Sequence, residues 1–175
     1  MQTLVKNEDF SNQNNEGRLI HPTASGVENF WSWFGNSRAT DKNGNPMVVY
    51  HGTIDDFEVF SKAEGGKNIA NDSGKQGFFF TDSPALAAQY AQMRFGDEKL
   101  MPVYLSLDKA KVSSLDHIDV LDYRVSIGHF PNGAIIKVGT GDNIATIYIA
   151  KHPNQIKSAI GNCGSFDPNE DNILM

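Results

Sequence analysis

The sequence predicts an α+β domain built on an antiparallel or split β-sheet. Strand-like runs outnumber helical ones, and they do not alternate with helices as a parallel sheet requires. No G-x-G-x-x-G or Walker-type phosphate loop marks a doubly wound fold. At 175 residues with 39% hydrophobic content, the chain has the size and composition of one globular domain with a proper core.

Residues 1–22 are polar, with Ser11-Asn12-Gln13-Asn14-Asn15 at their centre, and read as a flexible leader before a single domain at 23–175. Phe30, Trp33 and Phe34 then recur at helical spacing, so Gly26–Phe34 forms an amphipathic helix whose aromatic face is core. The Asn43-Gly44 turn signal pairs residues 38–41 with 46–51. A polar stretch at 61–76 is a long loop, of the kind that is either functional or disordered. Gly77-Phe78-Phe79-Phe80-Thr81-Asp82 is a short strand with a polar stop. Ser83 then caps a helix that has Pro84 at its first position and ends near Arg94 and Gly96. Further strands follow at 101–107, 134–138 and 144–150, with turns at Asn132-Gly133 and Gly139–Asn143. Residues 112–130 are ambiguous, with a short helix placed around Asp116–Tyr123, and 156–160 adds a last strand or a turn onto one.

A net charge of −6 leaves no electrostatic footprint for general nucleic-acid binding. The single cysteine, Cys163, excludes an internal disulfide and a cysteine-built zinc site, and reads as a half-buried thiol. His51 with Asp55 and Asp56 lacks a second histidine at ligand spacing, so no metal is expected. With neither a signal peptide nor an apolar run of membrane-spanning length, the expected location is the cytoplasm.

The chemistry concentrates where apolar strands end. Val48-Val49-Tyr50-His51-Gly52-Thr53 and Gly77-x-Phe79-Phe80-x-Asp82-x-x-x-x-Ala87-Ala88-x-Tyr90 offer His51, Thr53, Phe79 and Tyr90 to one cleft. These two motifs resemble the ADP-ribosyltransferases of the diphtheria-toxin and poly(ADP-ribose) polymerase type, which have a split, mainly antiparallel sheet with flanking helices. Phe30-Trp31-x-Trp33-Phe34-Gly35-Asn36-Ser37, Asp41-Lys42-Asn43-Gly44-Asn45-Pro46 and Pro153-Asn154-Gln155-Ile156-Lys157-Ser158-Ala159 narrow the likeness. They are similar to the ADP-ribosyltransferase domain of polyvalent proteins of phages and conjugative elements. The resemblance runs from about Asn29 to Ile173.

That resemblance implies NAD as co-substrate. Breaking its ribose–nicotinamide bond requires gripping a flat ring, orienting ribose hydroxyls and stabilising positive charge at the anomeric carbon. By resemblance, Phe79 and Tyr90 sandwich the nicotinamide, and the Gly52 backbone holds the carboxamide. His51 orients a ribose hydroxyl, Thr53 serves the adenosine side, and the loop at 61–76 lies over the cofactor. The chain departs from the family at the third task. Eight positions ahead of Gln155, where fully active relatives carry glutamate, stands Ile147. Asp142 is the nearest upstream acid, and it lies in a turn.

The resemblance therefore implies a mono-ADP-ribosyltransferase acting on a macromolecular acceptor, a protein carrying the missing carboxylate or its own base. The alternatives are a catalytically inactive NAD-binding or protein-binding module, and a structural phage component.

Overall fold

A computed structural model describes residues 10–61, 77–92, 96–115 and 130–175. The helix α1 spans Ala24–Phe34, and its N-terminus is capped by Thr23, whose hydroxyl accepts from Gly26 N at 3.1 Å. Seven strands follow in chain order: β1 Val49–Thr53, β2 Phe78–Thr81, β3 Lys99–Leu105, β4 Lys111–Leu115, β5 Ala134–Thr140, β6 Asn143–Ala150 and β7 Ile156–Ser158. A second helix, α2, covers Pro84–Gln92 between β2 and β3. Ser83 caps it as the sequence predicts, with its hydroxyl accepting from Leu86 N at 3.2 Å.

The strands form one sheet in the order β4-β5-β6-β2-β1-β3-β7, mainly antiparallel, which bears out the α+β reading. The exception is β4, which runs parallel to β5 and lies within the stretch the sequence left ambiguous. The helix expected at 116–123, most of the loop at 61–76 and the segment just after α2 fall outside the described residues.

Val103 and Leu105 of β3, Val49 of β1, Phe78 and Phe80 of β2, Tyr148 of β6 and Ile135 of β5 share one buried cluster across a single face of the sheet. This inward face packs on a core completed by Phe60 and Ile173. The other face carries the helices. Phe30, Trp33 and Phe34 of α1 pack there on Tyr104, as the aromatic spacing requires, while Leu86 of α2 packs with Phe79, Ile147 and Ile149.

Local pairing is shorter than the sequence suggests in one place. The turn at Asp41–Asn45 forms, with the Asp41 carboxylate accepting from Asn43 N and Asn45 N, but the flanking pairing is a single bridge between Thr40 and Pro46. Residues 10–22, polar by composition, do not stand apart from the domain. Ile20 is buried against α1, the Asn14 amide donates to the Tyr104 hydroxyl at 2.9 Å, and Asn15 accepts from Val48 N at 2.7 Å. Cys163 also differs from expectation, because it is exposed.

Candidate active site

The candidate site begins where β1 and β2 part. Their ladder contains one residue pair, Tyr50 opposite Thr81. Continued in the same register, it would bring Gly52 opposite Phe79. Instead the His51 ring enters the gap, with Nδ1 2.9 Å from the Phe79 carbonyl oxygen. A carbonyl only accepts, so Nδ1 carries the hydrogen. A histidine side chain thus replaces a ladder bond and props the sheet open.

The backbone of Gly52 borders this opening. Ala159 N donates to the Pro102 carbonyl at 3.0 Å, so the polar groups of Pro102 face β7 and not β1. Tyr50 lies opposite Pro102, and Gly52 opposite Leu100 two residues on. In an antiparallel ladder both then direct N–H and C=O away from β3, toward the side where β2 diverges. Gly52 has a second requirement. A Cβ placed on it would lie 1.8 Å from the Ala87 carbonyl oxygen, so α2 rests directly on this glycine. The alanines at 87 and 91, both buried, make that approach possible.

Alternation sorts the remaining residues by face. Phe79, Gly52 and Ile147 share the α2 side, and Phe79, Leu86 and Ile147 pack together there. Tyr90 follows Leu86 by one helical turn and therefore continues the same stripe, with 47% of its surface exposed. The structure thus brings Phe79, Tyr90, Gly52 and Ile147 to one side of the split. His51 and Thr53 take the inward side. His51 lies among Phe57, Phe60 and Phe80, at ring separations of 6.1, 5.1 and 5.5 Å, and reaches the split through its ring edge. Thr53 is buried, and its hydroxyl accepts from Asp55 N at 3.0 Å, closing the turn after β1.

Ile147 is 7% exposed and in register with Thr81 and Ile136, so this point of β6 is an apolar contact in the helix-side cluster. The Asp142 turn is exposed at the β5–β6 tip. Sequence reasoning passed over Asp82, the acid closing the Phe79-Phe80-x-Asp82 motif. Its carboxylate accepts from Thr146 N at 3.0 Å and ties the end of β2 to β6 one residue before Ile147. The nearby Tyr148 phenol is pushed up to about 12, by burial first and by the Asp82 charge second. The register places Asp82 beside Thr146, off the face that Ile147 occupies.

Beyond the end of β1 lies an open cavity of about 840 Å³, bordered by Asp55, Asp56, Glu58 and Lys99 over Leu100 and Met101. Among the described residues no group of three or more histidine, cysteine, aspartate or glutamate side chains is placed to hold a metal ion. No helix among them is long and apolar enough to cross a membrane.

Comparison with known families finds one match, to the family described as ADP-ribosyltransferase in polyvalent proteins, over residues 41–128. That span holds β1, β2, α2 and β3, and with them His51, Gly52, Phe79 and Tyr90. No curated protein and no solved structure matches the chain. With just over half of its length matched, the chain belongs to the ADP-ribosyltransferase family of polyvalent proteins.

Proposed function

We propose that this domain transfers a single ADP-ribose unit from NAD to a macromolecular acceptor, a protein. The observation that carries this reading is the β1–β2 split. His51 holds it open, the Gly52 backbone borders it, and Phe79 and Tyr90 lie on its α2 side. The nicotinamide ring enters between the faces of Phe79 and Tyr90, where aromatic stacking fixes its plane. Its carboxamide is held by the Gly52 backbone, and His51 orients a ribose hydroxyl. As the glycosidic bond breaks, nicotinamide leaves with the bonding electrons as a neutral ring, and positive charge grows at the anomeric carbon. Thr53 serves the adenosine side from the end of β1, where its hydroxyl also accepts from Asp55 N.

Ile147 sets the limit on this chemistry. Without a carboxylate to stabilise the developing cation and to activate a ribose hydroxyl, the domain does not build polymer. The acceptor supplies its own carboxylate or base. The burial of Ile147 in an apolar cluster with Ile136 and Ile149 favours a second reading, an NAD-binding domain without turnover.

Nicotinamide release from NAD, measured with and without a bacterial lysate as acceptor source, separates the two. Transfer predicts release that rises with lysate and falls at least about tenfold in His51→Ala and in Tyr90→Ala. NAD binding without release would establish the second reading. Unchanged NAD affinity in Tyr90→Ala would overturn the pocket assignment itself.

A further inference from the structure

We propose that the pocket between the β3–β4 connection and the start of β5 is an anion site for a phosphate-bearing ligand, separate from the β1–β2 split. The pocket has a volume of about 450 Å³ and is lined by Arg38, Lys109 and Lys111, with no carboxylate among its described lining residues. In a chain with 21 acidic against 15 basic side chains, three cations lining one pocket with no acid among its described lining residues run against the composition. The ion pairs among the described residues, Arg18 with Glu16 and Lys99 with Asp56, involve none of the three.

The cations come from separate segments that the backbone ties together. Arg38 N donates to the Leu107 carbonyl at 3.3 Å, Ala110 N to the same carbonyl at 3.4 Å, and Lys111 N to the Gly133 carbonyl at 3.0 Å. Lys109 itself has φ 57°, a left-handed conformation that a lysine rarely adopts. Local strain of this kind persists where the surrounding structure imposes it, and it concentrates at ligand sites. Here it turns the chain so that two lysines flank one opening. Three like charges around a single cavity repel one another, and an anion of two or more charges relieves that repulsion. The Asn132 amide and the apolar Pro131 and Val112 complete a wall suited to a phosphate with an attached organic group. A pyrophosphate or nucleotide has the right charge, and so does a nucleic-acid backbone.

The test is calorimetric titration of the full chain at low salt with inorganic pyrophosphate, with ADP and with a short single-stranded oligonucleotide, beside an R38Q/K111Q variant. Both substituted residues are exposed, and an unchanged melting temperature checks the fold. Saturable pyrophosphate binding is expected, weakening as salt rises and falling about tenfold or more in the variant. Tighter binding of ADP assigns the phosphate to a small nucleotide, and tighter binding of the oligonucleotide assigns it to a polynucleotide. Either result supports the site. No saturable binding of any of the three, or binding that survives in the variant, overturns it. A parallel loss of NAD affinity in R38Q/K111Q would also overturn it, because the pocket would then belong to the NAD site. Failure here leaves the reading of the β1–β2 split untouched.

Discussion

The Phe79 carbonyl would receive the Gly52 amide in a continuing β1–β2 ladder, and receives the His51 ring instead. One side chain thereby sets the width of the split. Ile147 is the other residue on which the proposed chemistry turns, and it allows a reversal. Ile147→Glu places a carboxyl in the apolar cluster of Ile136 and Ile149, in a position 7% exposed. Burial without a partner costs about 2–4 kcal/mol and raises the carboxyl pKa in the folded state. The unfolded chain then loses its proton first, at about pH 4.3, so the penalty grows as pH rises through that value. The variant is expected to melt lower than wild type at pH 8 and to approach it at pH 4. In the proposed site the same carboxylate reaches the ribose, so nicotinamide release per folded molecule rises. Thermal melts across pH, paired with release assays, check both. A fall in release per folded molecule would show that Ile147 does not stand beside the ribose.

At the scale of elements, α2 depends on one missing side chain. A Cβ on Gly52 would meet the Ala87 carbonyl at 1.8 Å and Ala91 N at 3.2 Å, and neither backbone atom can yield without moving the helix. Gly52→Ala is therefore expected to lower stability by about 2–3 kcal/mol and to shift Tyr90 away from Phe79. A melting temperature within a degree of wild type, with NAD affinity intact, would disprove this packing. Ser83 and Pro84 announced α2, the Phe30-Trp33-Phe34 spacing announced α1, and the apolar runs announced β1, β2, β3, β5 and β6, because local propensity and periodicity act over a few residues. What stayed hidden depends on distant partners. The strand β4, carrying Lys111, Ser113 and Ser114, is formed by parallel pairing with β5 and not by its own apolar pattern. Asn14 and Asn15 look like leader composition, yet each makes a hydrogen bond to a residue more than thirty positions away. The faces also escaped the motif reading. His51 and Phe79 are called to one cleft by their spacing, while alternation puts their rings on opposite sides of the sheet.

The whole molecule is closed by its last segment. Phe166 enters the cluster under α1, and Ile173 enters the inward core, so residues 162–175 join the two. One anchor of the segment is Lys157 of β7, which has no solvent exposure. Its ammonium donates to the carbonyls of Glu170 at 2.8 Å and Asn172 at 3.2 Å. The acidic run at 167–171, which composition alone assigns to solvent, thus shapes the peptide around a buried cation through its backbone. Lys157→Met keeps much of the volume and leaves both carbonyls without that donor, at a cost of about 2 kcal/mol. Burial is also the largest influence on the lysine, and it lowers the pKa below that of an ordinary lysine despite the nearby Asp167, Glu170 and Asp171. The folded chain then releases this proton at a lower pH than the unfolded chain, so stability from Lys157 rises with pH between the two values. The neutral amine still donates to both carbonyls. The stability gap between wild type and Lys157→Met should therefore widen from pH 7 toward pH 10, read from urea unfolding midpoints. A gap that narrows over that interval would mean that the charge itself, held by the surrounding carboxylates, is what fixes the closing segment.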